Sequence, residues 1–142
     1  MAVERIMDAS LMAAVLFAED HSDRARRCLS DELDAGHALI APDLLALEIA
    51  SIAAKKVWRG ETSTTDGKAA IAATLDLVAR PVGASDLAGR AFELAAAHRF
   101  SAYDAAYLAL AEARACRIAT LDDRLVRRAE QAGLSHLIHP VT

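Results

Sequence analysis

The sequence predicts an α/β fold, a three-layer α/β/α sandwich around a central parallel sheet of about five strands. Three observations carry that prediction. Short aliphatic runs alternate along the chain with longer segments of helical period. Strands separated by helical crossovers run parallel, and the crossover helices then cover both faces of the sheet. No repeat, low-complexity tract or Pro/Gly-rich linker interrupts the 142 residues, and the three prolines each fall near a proposed boundary. That length fits one domain, residues 1–142, since domains run to about 100–200 residues.

The elements follow in order. A first strand is read over residues 3–8 (VERIMD) and a helix over about 10–19. The next helix, about 22–35, opens on Ser22 or Asp23, both good N-caps, and stops at Gly36. Residues 38–41 (ALIA) form a strand, and Pro42-Asp43 opens a helix over about 42–59. A helix over about 64–77 leads to a strand at 78–82 (VARPV), then a helix over about 85–98 opened by Ser85-Asp86, and another over about 103–114. The chain closes with a strand at 117–121 (RIATL), a helix over about 123–132 capped by Asp123 and stopped by Gly133, and a strand at 136–141 (HLIHPV).

Hydrophobic residues at 54% and charged residues at 25% supply a core and a solvated surface, which excludes intrinsic disorder. No run approaches the ~18 apolar residues of a spanning helix, and MAVERIMDAS carries acids where a signal peptide begins positively charged, so a soluble cytoplasmic protein without membrane contact is expected. Cys28 and Cys116 lack C-x-x-C partners and read as core thiols. The net charge of −4, from 16 basic and 20 acidic residues, excludes a strongly basic nucleic-acid binder. If four acids form one site, the other sixteen balance the bases and the acidity is local.

In parallel sheets, ligands bind outside the carboxyl ends of the strands, at a switch in strand order. Asp8 ends the first strand pattern and Asp122 the fourth, Glu48 lies one to two turns into the helix after the second, and Asp104 lies in the first turn of a helix. Glu48 stands among Leu44, Leu45, Leu47, Ile49 and Ile52. A carboxylate buried in such company costs several kcal/mol or shifts its pKa, roughly what a divalent cation relieves. Taken singly, Asp8 and Asp104 read as helix caps, Asp122 and Asp123 as turn residues and Glu48 as a solvated helix position. Their joint placement favours a metal site.

The segments around these acids read IMDASLMAAVLFAED, APDLLALEIAS, SAYDAAYLALAE and IATLDDRL. In order and approximate spacing the chain resembles the PIN-domain ribonucleases, and within them the VapC-type toxins of toxin–antitoxin pairs. The resemblance spans nearly the whole chain, and its most specific blocks are SAYDAAYLALAE and ATLDDRL. It implies that Asp8, Glu48, Asp104 and Asp122 hold Mg²⁺ or Mn²⁺ and carry catalysis, that Thr120 supports the fourth acid, and that Ser10 is the small polar residue after the first. It also implies an RNA substrate, a VapB-like antitoxin and a homodimer. Of the adjacent pair, Asp122 fits the family's T-x-D, which leaves Asp123 to cap the next helix.

A divalent ion held by oxygen ligands lowers the pKa of water and offsets charge on a phosphate, which suits phosphodiester hydrolysis. Flanking phosphates need cations, for which Lys55, Lys56, Arg59, Arg99, Arg124, Arg127 and Arg128 are candidates, with Trp58 as a stacking platform. Tyr103 and Tyr107, at i and i+4, read as helix packing, and the five histidines share no visible face. The alternatives are a PIN-like RNA-binding or scaffold module without turnover and an aspartyl phosphatase. The phosphatase needs an acid two residues after the first, where Ser10 stands. A receiver domain needs a phosphorylated acid ending its third strand, where Pro81-Val82-Gly83 offers none.

Overall fold

The computed structural model describes residues 3–142. Its strands are β1 (Glu4–Met7), β2 (Ala38–Ile40), β3 (Arg117–Ala119) and β4 (Ile138–His139). Its helices are α1 (Ala9–Leu16), α2 (Ser22–Asp34), α3 (Leu45–Trp58), α4 (Thr64–Leu77), α5 (Ala84–His98), α6 (Ala102–Arg114) and α7 (Asp123–Gln131), with a 3-10 turn over Ser135–Leu137. All strand pairs are parallel and their order is β2-β1-β3-β4. β1 therefore has its sequence neighbour β2 on one side and β3 on the other, which opens a crevice beyond the carboxyl ends of β1 and β3.

The sheet has four strands among the described residues, and the strand expected at 78–82 is absent. Val78 instead closes α4, and Pro81 offers no N–H to a ladder. What remains is a single bridge between Pro42 and Val82, with Val82 N–H donating to Ala41 O and Asp43 N–H to Val82 O. The helix expected from residue 42 starts at Leu45, because Asp43 turns its carboxylate to Ala84 N–H, 2.9 Å away, and so ties β2 to the start of α5. Ser85-Asp86 opens no helix: α5 begins at Ala84 behind Gly83. Ser22 is the first residue of α2 rather than a side-chain cap, its hydroxyl bonding Glu19 N–H and Phe17 O. Gly36 and Gly133 stand just past α2 and α7 at φ +74° and +73°, a conformation costly for residues with a Cβ.

Helix α6 runs through the centre. Residues 105–111 are all buried, the pattern of a helix covered on every side, and its alanines let α5 and the sheet approach closely. Ile6, Met7, Leu108, Leu110 and Ile118 are sealed from solvent. α7 is the opposite case, with only Leu125 and Ala129 turned inward. Cys28 and Cys116 are half-buried free thiols packed against the core.

Candidate active site

Four helix N-termini meet at the crevice, and each carries one of the acids. Asp8 follows β1 directly and is the N-cap of α1, its Oδ1 accepting Leu11 N–H at 3.0 Å. Glu48 and Asp104 lie in the first turns of α3 and α6, the latter helix capped by Ser101, whose Oγ accepts Asp104 N–H at 3.1 Å. Asp122 caps α7, with Oδ1 accepting Arg124 N–H at 3.0 Å and Leu125 N–H at 3.2 Å. Helix N-termini carry partial positive charge, so the fold places its acids where the backbone favours them.

Two hydroxyls stitch the ends of β1 and β3 together. Ser10 Oγ donates to Asp8 Oδ1 at 2.7 Å and accepts Leu121 N–H at 3.0 Å. Thr120 Oγ1 donates to Asp8 Oδ2 and accepts Asp122 N–H at 2.9 Å. Each hydroxyl thus gives its proton to one acid and receives an amide from the loop that carries another. The contact expected between Thr120 and Asp122 runs through the backbone, Asp122 N–H to the hydroxyl, while the hydroxyl's own proton goes to the Asp8 carboxylate. The cap assigned to Asp123 belongs to Asp122, because extended backbone at Asp122 aims its side chain back at the first amides, whereas Asp123 is already helical.

Burial pushes the Asp8 carboxyl up to about 6, against the pull of its bonds from Thr120, Leu11 and Ser10 and with the push of the Asp122 charge. Glu48 is raised by burial, lowered by its hydrogen bond from Tyr107, and raised again by Asp8 and Asp104. Asp104 is raised by burial and by Asp122, and held down in part by Ser101, Arg128 and Arg124. These mutual effects link all four acids in one field. Among the described residues no lysine, arginine or histidine ion-pairs with any of them. No three His, Cys, Asp or Glu side chains among those residues already converge as a cation cage.

Sequence reasoning missed Tyr107. It is 3% exposed, and its hydroxyl donates to Glu48 Oε1 at 2.7 Å across 59 residues of chain. Burial and the neighbouring Glu48 hold the phenol neutral and hence a donor. The available signal was its place one turn after Asp104 on the same helix. Tyr103 is solvent-exposed.

The expected RNA contacts divide. Trp58 is 78% exposed but stands about 15 Å along α3 from Glu48. Lys55 and Arg59 share that exposed end. Lys56 is committed to Glu19 at 2.9 Å, Glu61 at 3.7 Å and the face of Phe17. Arg124 and Arg128 instead lie close enough to Asp104 to hold its carboxyl down. Of the histidines, His37 and His139 do meet, at the buried carboxylate of Glu32, which also takes Arg5 Nε at 2.9 Å. That cluster joins α2 to β1 and β4, away from the four acids.

The PIN domain family profile matches residues 5–131. Ribonuclease VapC3 of Pyrobaculum aerophilum is 30% identical over 125 residues, covering 87% of this chain and 92% of that protein. Ribonuclease VapC9 of Mycobacterium tuberculosis is 34% identical over 120 residues, covering 84% and 87% respectively. The fold is similar to that in the crystal structure of PAE2754 from Pyrobaculum aerophilum, with a TM-score of 0.63 at 20% identity over 90% of this chain and 87% of that one. Among the described residues no helix is long and apolar enough to cross a membrane. With the profile spanning most of the chain and relatives matched over nearly their full length, this chain belongs to the PIN domain family, alongside its VapC ribonucleases.

Proposed function

We propose that the chain is a metal-dependent endoribonuclease that hydrolyses RNA phosphodiester bonds, and that it acts in the cytoplasm as a toxin restrained by a VapB-like antitoxin. The observation that carries the reading is four carboxylates at one crevice that act on one another electrostatically, none of them ion-paired to a cation among the described residues. Such a group is relieved by a hard divalent ion, Mg²⁺ or Mn²⁺, which favours oxygen donors and keeps several waters, so one or two direct carboxylates suffice and no ready-made cage is required. When bound, the ion lowers the pKa of water and neutralises charge on the scissile phosphate.

The chain's own residues do the rest. Asp8 is fixed by Ser10 and Leu11 N–H, which fill Oδ1, and by Thr120 on Oδ2, so one lone pair of Oδ2 is left for the ion. Tyr107 occupies one oxygen of Glu48 and leaves the other free. Asp104 and Asp122 supply the remaining negative charge from the α6 and α7 side, and Arg124 stands near to meet the RNA backbone. The antitoxin is expected to bind as an inhibitor and the toxin to be a homodimer. The experiment is cleavage of single-stranded RNA with Mg²⁺ or Mn²⁺ and with EDTA. Activity lost in EDTA, with 5′-phosphate and 3′-hydroxyl ends, is the expected result. Cleavage persisting in EDTA or leaving 2′,3′-cyclic phosphates overturns it.

A further inference from the structure

We propose that the cavity between the end of α5 and the outer face of α7, lined by His98, Arg99, Arg128 and Gln131, binds an RNA phosphate adjacent to the one presented to the four acids. The proposal rests on the ribonuclease reading and adds to it a substrate-positioning subsite. The cavity holds about 250 Å³, and no acidic residue lines it. Among the described residues neither Arg99 nor Arg128 is ion-paired, so both charges are available to an anion. The cavity adjoins the site: Arg128 lies about 9 Å along α7 from Asp122 and acts electrostatically on Asp104.

The local backbone is built to hold these cations in place. Arg99 ends α5 in the left-handed region, φ 59° and ψ 34°, a conformation disfavoured for a residue with a Cβ. Its N–H is tied to Ala95 O, and its carbonyl accepts Arg128 Nη1 at 2.9 Å. That bond occupies one edge of the Arg128 guanidinium and leaves its other donors for a ligand, which suits the forked donor geometry arginine offers to phosphate. The His98 ring packs edge-on against buried Phe100, with centroids 6.2 Å apart. The two arginines and the histidine thus come from segments fixed to each other. The acids repel a polyanion, and a cationic pocket beside them gives the strand a foothold without an ion pair to any of the acids.

The test compares wild type with Arg99→Gly and Arg128→Gln, using a short single-stranded RNA that wild type cleaves. Glycine accepts φ 59° without strain, so Arg99→Gly should fold at least as stably as wild type, and its loss of binding cannot be put down to misfolding. Each variant should raise KM about 5- to 10-fold and reduce the slope of log affinity against log salt by about 0.7, the value for one phosphate on a single strand, and Arg99→Gly should keep kcat within about two-fold. One neutral methylphosphonate linkage next to the cleaved bond should raise KM by a similar factor in wild type and have little further effect in the variants. If wild type cuts the RNA and both variants keep its KM and salt slope, the subsite is overturned while the ribonuclease reading stands. If wild type neither binds nor cuts RNA, both fall.

Discussion

Asp8→Asn should stabilise the metal-free protein at neutral pH, by an amount that fades as the pH approaches 4. Asp8 is 7% exposed, and burial lifts its carboxyl from 3.8 to about 6. Between those values the folded protein holds a proton that the unfolded chain has released, so stability is full below the unfolded value and is lost as pH rises through the folded one. At about 1.4 kcal/mol per pH unit, the charge costs the folded state about 3 kcal/mol above pH 6. Asparagine keeps an acceptor for Leu11 N–H and Ser10, and its amide can donate to Thr120, whose own proton can turn to Ser10 Oγ at 3.3 Å. Weaker neutral hydrogen bonds take back about 1 kcal/mol, which leaves a net gain of about 2 kcal/mol. For a chain of this length the melting temperature should rise by about 4–8 °C at pH 7.5. Calorimetry on both proteins in EDTA, from pH 4 to 8, measures it. Millimolar Mn²⁺ should then raise the wild-type melting temperature more than that of the variant. Equal melting temperatures at pH 7.5, or a gap that widens toward pH 4, would refute the reasoning.

Three further outcomes are expected. Asp122→Ala should abolish cleavage and also lose about 1 kcal/mol in urea titrations, because it removes the α7 cap, while Asp123→Ala should stay within about 0.5 kcal/mol of wild type and remain active. Tyr107→Phe removes the bond that lowers the Glu48 carboxyl, so the acid limb of the pH–rate profile should move to higher pH and the rate at neutral pH should fall about 10-fold; an unmoved limb would count against a positioning role. Burial pushes the Glu32 carboxyl up, but His37 and Arg5 outweigh it and leave it lowered, so its contribution to stability is present above the ordinary carboxylate range and is lost as pH falls below it. Glu32→Gln leaves Arg5 without a counter-charge and should cost about 3 kcal/mol at pH 7 by denaturant titration, with kcat unchanged in the fraction that remains folded.

The sequence by itself determined the order of the seven helices and of four strands, though not the absence of a strand at 78–82, and the position of each acid at the start of a helix or the end of a strand. Those signals are local: helical period, aliphatic runs and capping residues act within a few positions of one another. Parallel pairing followed from the helical crossovers, and the crevice from the general rule for such sheets. Other features depended on which segments approach in space. Residues 78–82 have a strand's composition, yet Pro81 and the end of α4 leave them a single bridge to Pro42. The one-residue choice between Asp122 and Asp123 turned on where the backbone leaves its extended conformation after β3, which sequence patterns locate only to within a residue or two. Thr120 reaching Asp8, Tyr107 reaching Glu48, Lys56 closing on Glu19, and His37 meeting His139 at Glu32 each join positions far apart in the chain. A side chain's residue type fixes what it can donate or accept. Which partner it finds is set by how the helices pack on the sheet and on one another, because burial removes water as the competing partner and leaves each polar group only the neighbours that the tertiary structure brings within reach.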